Sequence, residues 1–356
     1  MVSFGDRILG DGHPCFITFE AGATHDGVDS AMALIRLAAE AGADAVKFQI
    51  FVPDKLVADK TLPFTYEILG DRKTGETLTI TEPLYDILCR RCLTPDQWKM
   101  IKRFSDSLGL AFFATVGFEE DIVLLTELNC DSIKIASADV DHWPLIRMAA
   151  RTGMCLQLDT GNASLGEVEQ AVDICNQEGN HNIIIHNCPS GYPARLESIN
   201  LKMITTLKQM FPCYPVAYSD HTPGWEMDVA AVALGANLVE KTITLDRAIR
   251  STEHVFSLEP SEMKPFVQTI REVEIAMGDP RRVLSPEEKQ KRKNVRRSTF
   301  LRQEVKKGDR LCLDHVEFRR PGFGLSPKKF ESLAGMKFAC DLVPGHLLDF
   351  KDLVKA

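Results

Sequence analysis

Between Phe16 and Met277, short apolar runs alternate with longer amphipathic stretches. The runs Phe16–Glu20, Ala45–Ile50, Ala111–Thr115, Ser132–Ile135, Cys155–Asp159, Asn182–His186, Pro215–Ser219 and Leu238–Thr242 have the length and composition of buried strands. The stretches between them, such as SAMALIRLAAEAG and LGEVEQAVDICNQEG, carry apolar residues at helical spacing. Gly42, Gly109 and Gly235 stand where such helices stop, because glycine takes up the left-handed turn at a helix end without penalty. Regular alternation of strand and helix predicts parallel strands joined by right-handed crossovers. Eight such units in about 260 residues predict a (β/α)8 TIM barrel. A short echo agrees: AGADAVKF (41–48) and LGANLVEK (234–241) read as one βα junction used twice.

Two segments break the rhythm. Residues 51–92 are polar and turn-rich, which predicts a functional loop or a partner contact rather than a barrel unit. After Gly278 the charged, proline-interrupted stretch 279–297 reads as a linker. Residues 298–356, with their Lys-Gly-Asp and Pro-Gly turns, read as a small β-rich domain behind a 1–278 barrel domain.

Composition narrows the function. With 44% hydrophobic residues among 356, the chain can bury a large core. Its net charge is −8 and its one basic run is Lys289–Arg297, which argues against a nucleic-acid partner. No apolar stretch reaches membrane-spanning length, and the polar start MVSFGDRILGDGHP does not read as a signal peptide. The ten cysteines lack zinc-ribbon spacing, and Cys155 and Cys213 sit in apolar surroundings; reduced core thiols and a cytoplasmic location are expected.

In a barrel the site forms where the strands end at their C-terminal edge. Polar residues collect there: Glu20 and His25 after the first strand, Lys47 and Gln49 on the second, Thr115 on the third, Lys134 and Ser137 around the fourth. Asp159 follows on the fifth, Ser190 and Tyr192 after the sixth, Ser219-Asp220-His221 on the seventh, and Glu240, Lys241 and Thr242 on the eighth. Ser219, Asp220 and His221 do not form a hydrolytic triad, because consecutive strand residues face opposite ways. AVKFQI and SIKIAS each place a lysine among apolar neighbours on a strand buried on both faces. Such lysines are either paired with Glu20 or Glu240 or held ready for an anion, with Thr115, Ser137 and Ser219 as hydroxyl donors to a phosphate or carboxylate. Tyr192, in CPSGYP, reads equally as a turn aromatic and as a site residue.

These pieces carry a resemblance. FEAGATHDG, EAGADAVKFQ, IKIAS, DTGN, GYP with ESINL, YSDHTPG, EKTITLDR with EHVFSLEP, and RRPGFGLSP occur in the order and spacing of the sialic acid synthase family. The last of them resembles the antifreeze-like SAF domain that ends such enzymes. The resemblance implies condensation of phosphoenolpyruvate with an N-acylated hexosamine to a nonulosonic acid, with release of phosphate. It implies that Lys47, Thr115, Lys134, Ser137 and Ser219 hold phosphoenolpyruvate, and that Glu20 and Tyr192 lie near the sugar or the reacting carbons. Ser190 and Glu253 are expected at the substrate, and His221 at a divalent Mn2+ or Mg2+ ion. It further implies a domain-swapped homodimer in which Arg320 reaches the sugar of the partner subunit.

The chain departs from the family pattern at four places. Thr242 replaces the second metal histidine, Asp159 a serine, Thr24 an asparagine and Glu253 an aspartate. Two outcomes are expected: a relocated metal site in which Asp159 or Glu20 joins His221, since carboxylates suit hard divalent ions, or metal-free catalysis in which His221 donates a hydrogen bond to the aldehyde oxygen. The losses leave two alternatives: a Schiff-base aldolase using Lys47 or Lys134, and a barrel that binds a sugar acid without turnover.

Overall fold

The computed structural model describes residues 1–355 and divides into two compact units, Met1–Gly278 and Asp279–Ala356. In the first, eight parallel strands close into a barrel: β1 (Phe16–Glu20), β2 (Ala45–Gln49), β3 (Ala111–Val116), β4 (Ser132–Ile135), β5 (Cys155–Asp159), β6 (Ile183–Asn187), β7 (Val216–Asp220) and β8 (Leu238–Thr242). Each pairs with the next in sequence, and β8 closes on β1 with Leu238 opposite Phe16 and Thr242 opposite Glu20. This is the expected (β/α)8 fold. β7 starts one residue later than the apolar run, because Pro215 has no N–H to give to a neighbouring strand.

The helices pack outside, and their ends are written in the sequence. Thr94 and Gln97 form a reciprocal capping box at the start of helix Pro95–Ser107, and Ser164 and Glu167 do the same for Leu165–Gln177. Gly42 ends helix Val28–Ala41 at φ 89°.

The two ends of the barrel differ. The N-terminal end is plugged by a hairpin, Val2–Phe4 with Arg7–Leu9. Val2, Phe4 and Leu9 pack on Phe16, Phe113 and Leu238 at the barrel floor, with Phe4 and Phe113 edge to face at 5.4 Å. The start of the chain, polar on average, hides three apolar residues that alternate into this plug.

Residues 51–92 contain an antiparallel hairpin, Pro63–Asp71 with Glu76–Pro83, between short helices Pro53–Leu56 and Leu84–Cys89. Arg72 at its tip bonds Glu259 at 2.8 Å and pairs with Asp246, so the hairpin is tied to the segment that follows β8.

In the second unit the charged stretch is helical from Pro286 to Val295, capped by Ser285. Strand Ser298–Leu301 pairs with Val316–Arg319, and Lys337–Phe338 pairs with Leu353–Val354. Leu301, Val316, Leu325, Phe330 and Phe338 form its core.

All ten cysteines are free, but only Cys15, Cys130, Cys155, Cys175 and Cys188 are buried. Cys213 is exposed, contrary to expectation, because Pro212 and Pro215 hold it in a turn outside the strand. No helix of the described residues is long and apolar enough to cross a membrane.

Candidate active site

Strand register assembles the site. Glu20 lies opposite Lys47, Thr115 opposite Lys134, Asp159 opposite His186, and Ser219 opposite Glu240. Residues opposite one another in adjacent strands face the same side, so these side chains form one layer inside the barrel near its C-terminal mouth.

The layer is built around Glu240. Its Oε1 accepts from Lys47 Nζ at 2.9 Å and its Oε2 from Lys134 Nζ at 2.7 Å. Lys47 also pairs with Glu20, while Lys134 donates to Ser219 Oγ at 3.0 Å and lies 3.1 Å from Asp159 Oδ1. Of the two readings open for the lysines, pairing is the one the structure shows: two ammonium groups serve three carboxylates. Burial alone would raise the Glu240 carboxyl, but Lys134 and Lys47 outweigh it and hold it well below the usual carboxylate range. Burial opposes the charge on Lys47, yet Glu20 and Glu240 keep it an ammonium ion far into the alkaline range. Burial raises Asp159, and Lys134 offsets this only in part.

Above this layer a cavity of about 190 Å³ opens between the loops. Glu20, Lys47, Thr115, Ser137, Asp159, Tyr192, His221 and Glu253 line it, together with Gln49 and Glu240. Lys134 and Ser219 lie in the layer beneath. Ser190 is elsewhere: its hydroxyl bonds Gly161 O at 2.8 Å and Asn162 Oδ1 at 2.9 Å beside a second cavity. Arg320 belongs to the second unit, exposed on the turn after Val316–Arg319.

Tyr192 lines the cavity, its ring 4.4 Å from that of His221. The loops after β5 and β6 approach so closely that a Cβ on Gly161 would sit 2.4 Å from the Cys188 carbonyl oxygen; only glycine fits there. Glu253 holds a left-handed backbone at φ 71°, a strained conformation for a residue with a side chain. Burial pushes its carboxyl up to about 7, with Arg91 pulling the other way.

The neighbours Ser219, Asp220 and His221 now separate by role. Ser219 faces the barrel interior. Asp220 faces the helices, where its Oδ1 accepts from Tyr218 Oη at 2.8 Å and Thr222 Oγ1 at 2.9 Å, and it pairs with Lys241. It shapes the turn that carries His221.

His221 decides the fit of a metal. Burial lowers its pKa to about 4, so the ring is neutral. Its Nδ1 lies 3.1 Å from Pro189 O and must carry the proton, leaving the Nε2 lone pair as one possible ligand. The others do not follow: Thr242 offers a hydroxyl, and Asp159 is committed to Lys134. Among the described residues no three His, Cys, Asp or Glu side chains converge as a metal site. Asp159 Oδ1 lies 3.1 Å from Lys134 Nζ, so a divalent ion held by His221 and Asp159 would share the carboxylate with that lysine.

The sequence reading missed three polar residues. His186 bonds Ser219 Oγ at 2.9 Å and Gln157 Oε1 at 2.8 Å inside the barrel; a histidine in IIIHN and a glutamine in CLQLD are the same kind of signal as the buried lysines. Arg91, buried, donates to Ala23 O at 3.0 Å and acts electrostatically on Glu253 and Glu20; nothing in its local sequence marks it. His25 packs edge-on against Phe48 and Trp98, outside the cavity lining.

A closed (β/α)8 barrel with a charged cavity at its C-terminal mouth places the protein among the barrel enzymes. Residues 34–282 match the NeuB family and residues 296–354 the SAF domain, so the chain belongs to the NeuB family. It is 33% identical to the N,N'-diacetyllegionaminic acid synthase of Legionella pneumophila, covering 97% of this chain and 96% of that one. It is also 33% identical to the pseudaminic acid synthase of Campylobacter jejuni, covering 95% and 96%. The crystal structure of the N-acetylneuraminic acid synthetase of Leptospira borgpetersenii, in complex with citrate, superposes with a TM-score of 0.70 at 28% identity over 82% of this chain and 94% of that one.

Proposed function

We propose that the protein is a nonulosonic acid synthase that joins phosphoenolpyruvate to the aldehyde of an open-chain N-acylated hexosamine. The observation that carries this reading is the pair of buried lysines joined through Glu240 beneath a cavity lined with hydroxyl and carboxyl groups. Family membership gives the barrel its chemistry; an arriving phosphate or carboxylate would share the two ammonium groups with the carboxylates that pair with them.

In this reaction the methylene carbon of phosphoenolpyruvate forms the new bond to the aldehyde carbon, whose oxygen takes a proton. Water adds to the former enol carbon, and inorganic phosphate leaves with its bridging oxygen. Lys47 and Lys134 balance the phosphate and carboxylate, and Thr115 and Ser137 donate hydrogen bonds. Glu253, with a carboxyl poised near neutrality, gives the proton to the aldehyde oxygen, and Glu20 takes one from the attacking water. His221 keeps a lone pair towards the site and accepts from a sugar hydroxyl.

The Schiff-base alternative needs a neutral amine, and Lys47 is held as ammonium by two carboxylates. The non-catalytic alternative is separated by turnover. The deciding experiment is a phosphate-release screen with phosphoenolpyruvate against a panel of N-acyl hexosamines; no release with any acceptor would refute the proposal.

The same reading includes a swapped homodimer in which Arg320 of one protomer meets the sugar of the other. Lys47→Ala and Arg320→Ala are each expected to be nearly inactive. Their random mixture should recover about a quarter of wild-type activity, since mixed dimers hold one intact pair. No recovery after refolding together would place each cap on its own barrel.

A further inference from the structure

A chain of hydrogen bonds runs through strands β4 to β7 inside the barrel, and its direction is fixed at both ends. At one end is the carbonyl oxygen of Cys155, which can only accept; it takes the Ser132 hydroxyl proton at 2.7 Å. Ser132 Oγ has then spent its proton and can only accept from Gln157, 3.0 Å away, so the Gln157 atom facing it is the amide nitrogen. Gln157 Oε1 is left to face His186 Nε2 at 2.8 Å. An amide oxygen cannot donate, so His186 Nε2 carries a proton. At the other end is the Lys134 ammonium group, which can only donate; it gives an N–H to Ser219 Oγ at 3.0 Å. Ser132, Gln157, His186 and Ser219 are all buried.

The two ends meet at His186 and Ser219. Burial and the nearby Lys134 charge both oppose a second proton on the His186 ring. With its one proton on Nε2, the ring has a bare lone pair on Nδ1, 2.9 Å from Ser219 Oγ. Ser219 therefore gives its only proton to His186 and a lone pair to Lys134. The competing acceptor, Asp159 Oδ1, is 3.5 Å from the same hydroxyl. This matters for Lys134, whose three N–H groups go to Glu240 Oε2 at 2.7 Å, Ser219 Oγ at 3.0 Å and Asp159 Oδ1 at 3.1 Å. A Ser219 proton turned to Asp159 would compete with Lys134 for that carboxylate and swing the hydroxyl lone pairs away from the ammonium group.

We infer that His186, held in one tautomer by Gln157, is a positioning residue: it takes the Ser219 proton, leaves Asp159 to Lys134 and so fixes the direction of the Lys134 ammonium group. Neither His186 nor Gln157 lines the central cavity, so they reach a bound anion only through Ser219 and Lys134. The consequence for phosphoenolpyruvate rests on the proposed synthase reading and deepens it; the tautomer does not depend on that reading. Ser219, expected from the sequence to donate to a phosphate, has its proton already placed.

The first test is nitrogen NMR on full-length protein labelled at histidine, with the His186 signals assigned by their loss in His186→Asn. Wild type should show the Nε2–H tautomer, and Gln157→Met should let the Nδ1–H form appear. A wild-type ring protonated on Nδ1, or a ring that Gln157→Met leaves unchanged, overturns the inference. The second test compares His186→Leu with His186→Asn. The two side chains have the same branched shape and orphan Gln157 alike, but only asparagine returns an acceptor near the place of Nδ1. His186→Leu should weaken phosphoenolpyruvate binding about ten-fold by calorimetry, the effect of misdirecting one hydrogen bond to a charged group. His186→Asn should stay within about three-fold of wild type at a similar melting temperature, because the acceptor is restored. Equal weakening by both would overturn the inference. Should wild type release no phosphate with any acceptor, the reaction reading fails, and the tautomers of wild type and Gln157→Met judge the inference alone.

Discussion

The eight strands that line the barrel build two unlike layers from one alternating pattern. At the floor, inward positions are Phe16, Ala45, Phe113, Cys155, Ile184, Ala217 and Leu238, sealed by Phe4. Two or four residues further along the same strands, inward positions become Glu20, Lys47, Thr115, Asp159, His186, Ser219 and Glu240. Both layers are buried except for the half-buried Thr115, yet only the lower one gains free energy simply by leaving water. The upper one must satisfy every charge internally, and it does so with two lysines among three carboxylates. Stability is concentrated at one end of the barrel and reactivity at the other.

The sharpest way to break this division is Lys134→Ala. It strips Asp159 and half of Glu240 of their partner, so it should do more than weaken phosphoenolpyruvate binding. Turnover is expected to fall about 100- to 1,000-fold and stability by about 3–5 kcal/mol. The double variant Lys134→Met/Glu240→Gln should recover much of the stability and none of the activity. Unchanged stability in the single variant, read by denaturant unfolding, would show the pairs to be weak. The counterpart at the floor is Phe113→Ala, which should lose about 3–5 kcal/mol through the cavity it leaves, while KM for phosphoenolpyruvate stays within about two-fold because no charged group moves.

Asp159→Asn probes the boundary between the layers more gently. The native carboxyl is raised by burial, so it is protonated at low pH and meets the substrate anion as a charge at high pH. Wild-type affinity for phosphoenolpyruvate should fall as pH rises through this transition, and the asparagine variant should bind with a flatter profile by calorimetry. Parallel profiles would mean that Asp159 does not face the anion. The smallest effect is expected from Glu253→Gln on melting temperature. The folded protein keeps the Glu253 proton to about 7 while the unfolded chain releases it near 4.5. Between those values the folded state binds more protons, so wild-type stability declines as pH rises, and the glutamine variant should lack that decline. Its activity profile should also lose the alkaline limb near pH 7.

The lower layer and the strand order were legible in the sequence because parallel strands buried on both faces read as unbroken apolar runs. The lysines were legible for the same reason: Lys47 and Lys134 interrupt such runs. Glu20 and Glu240 were legible as candidate partners, but the bridging of both lysines by Glu240 was not, since it joins residues 193 and 106 positions away and depends on register across the closed sheet. His186 and Gln157 carried the same signal and needed only the same weight. The N-terminal plug was obscured by averaging, because its three apolar residues are spread among glycines and charges. Arg91 left no local trace, as its burial comes from a carbonyl 68 residues away. Ser190 shows the converse: a hydroxyl at the right strand end can still turn into a neighbouring space.

The hairpin plug also sets the traffic through the molecule. Phe4 packs on Phe16 and Phe113 and so closes the floor of the barrel beneath the charged layer. A ligand that reaches down to the Lys47–Glu240–Lys134 cluster must arrive before, and depart after, whatever fills the mouth above it. If two reactants meet here as proposed, this geometry predicts ordered binding in which an excess of the second blocks the path of the first.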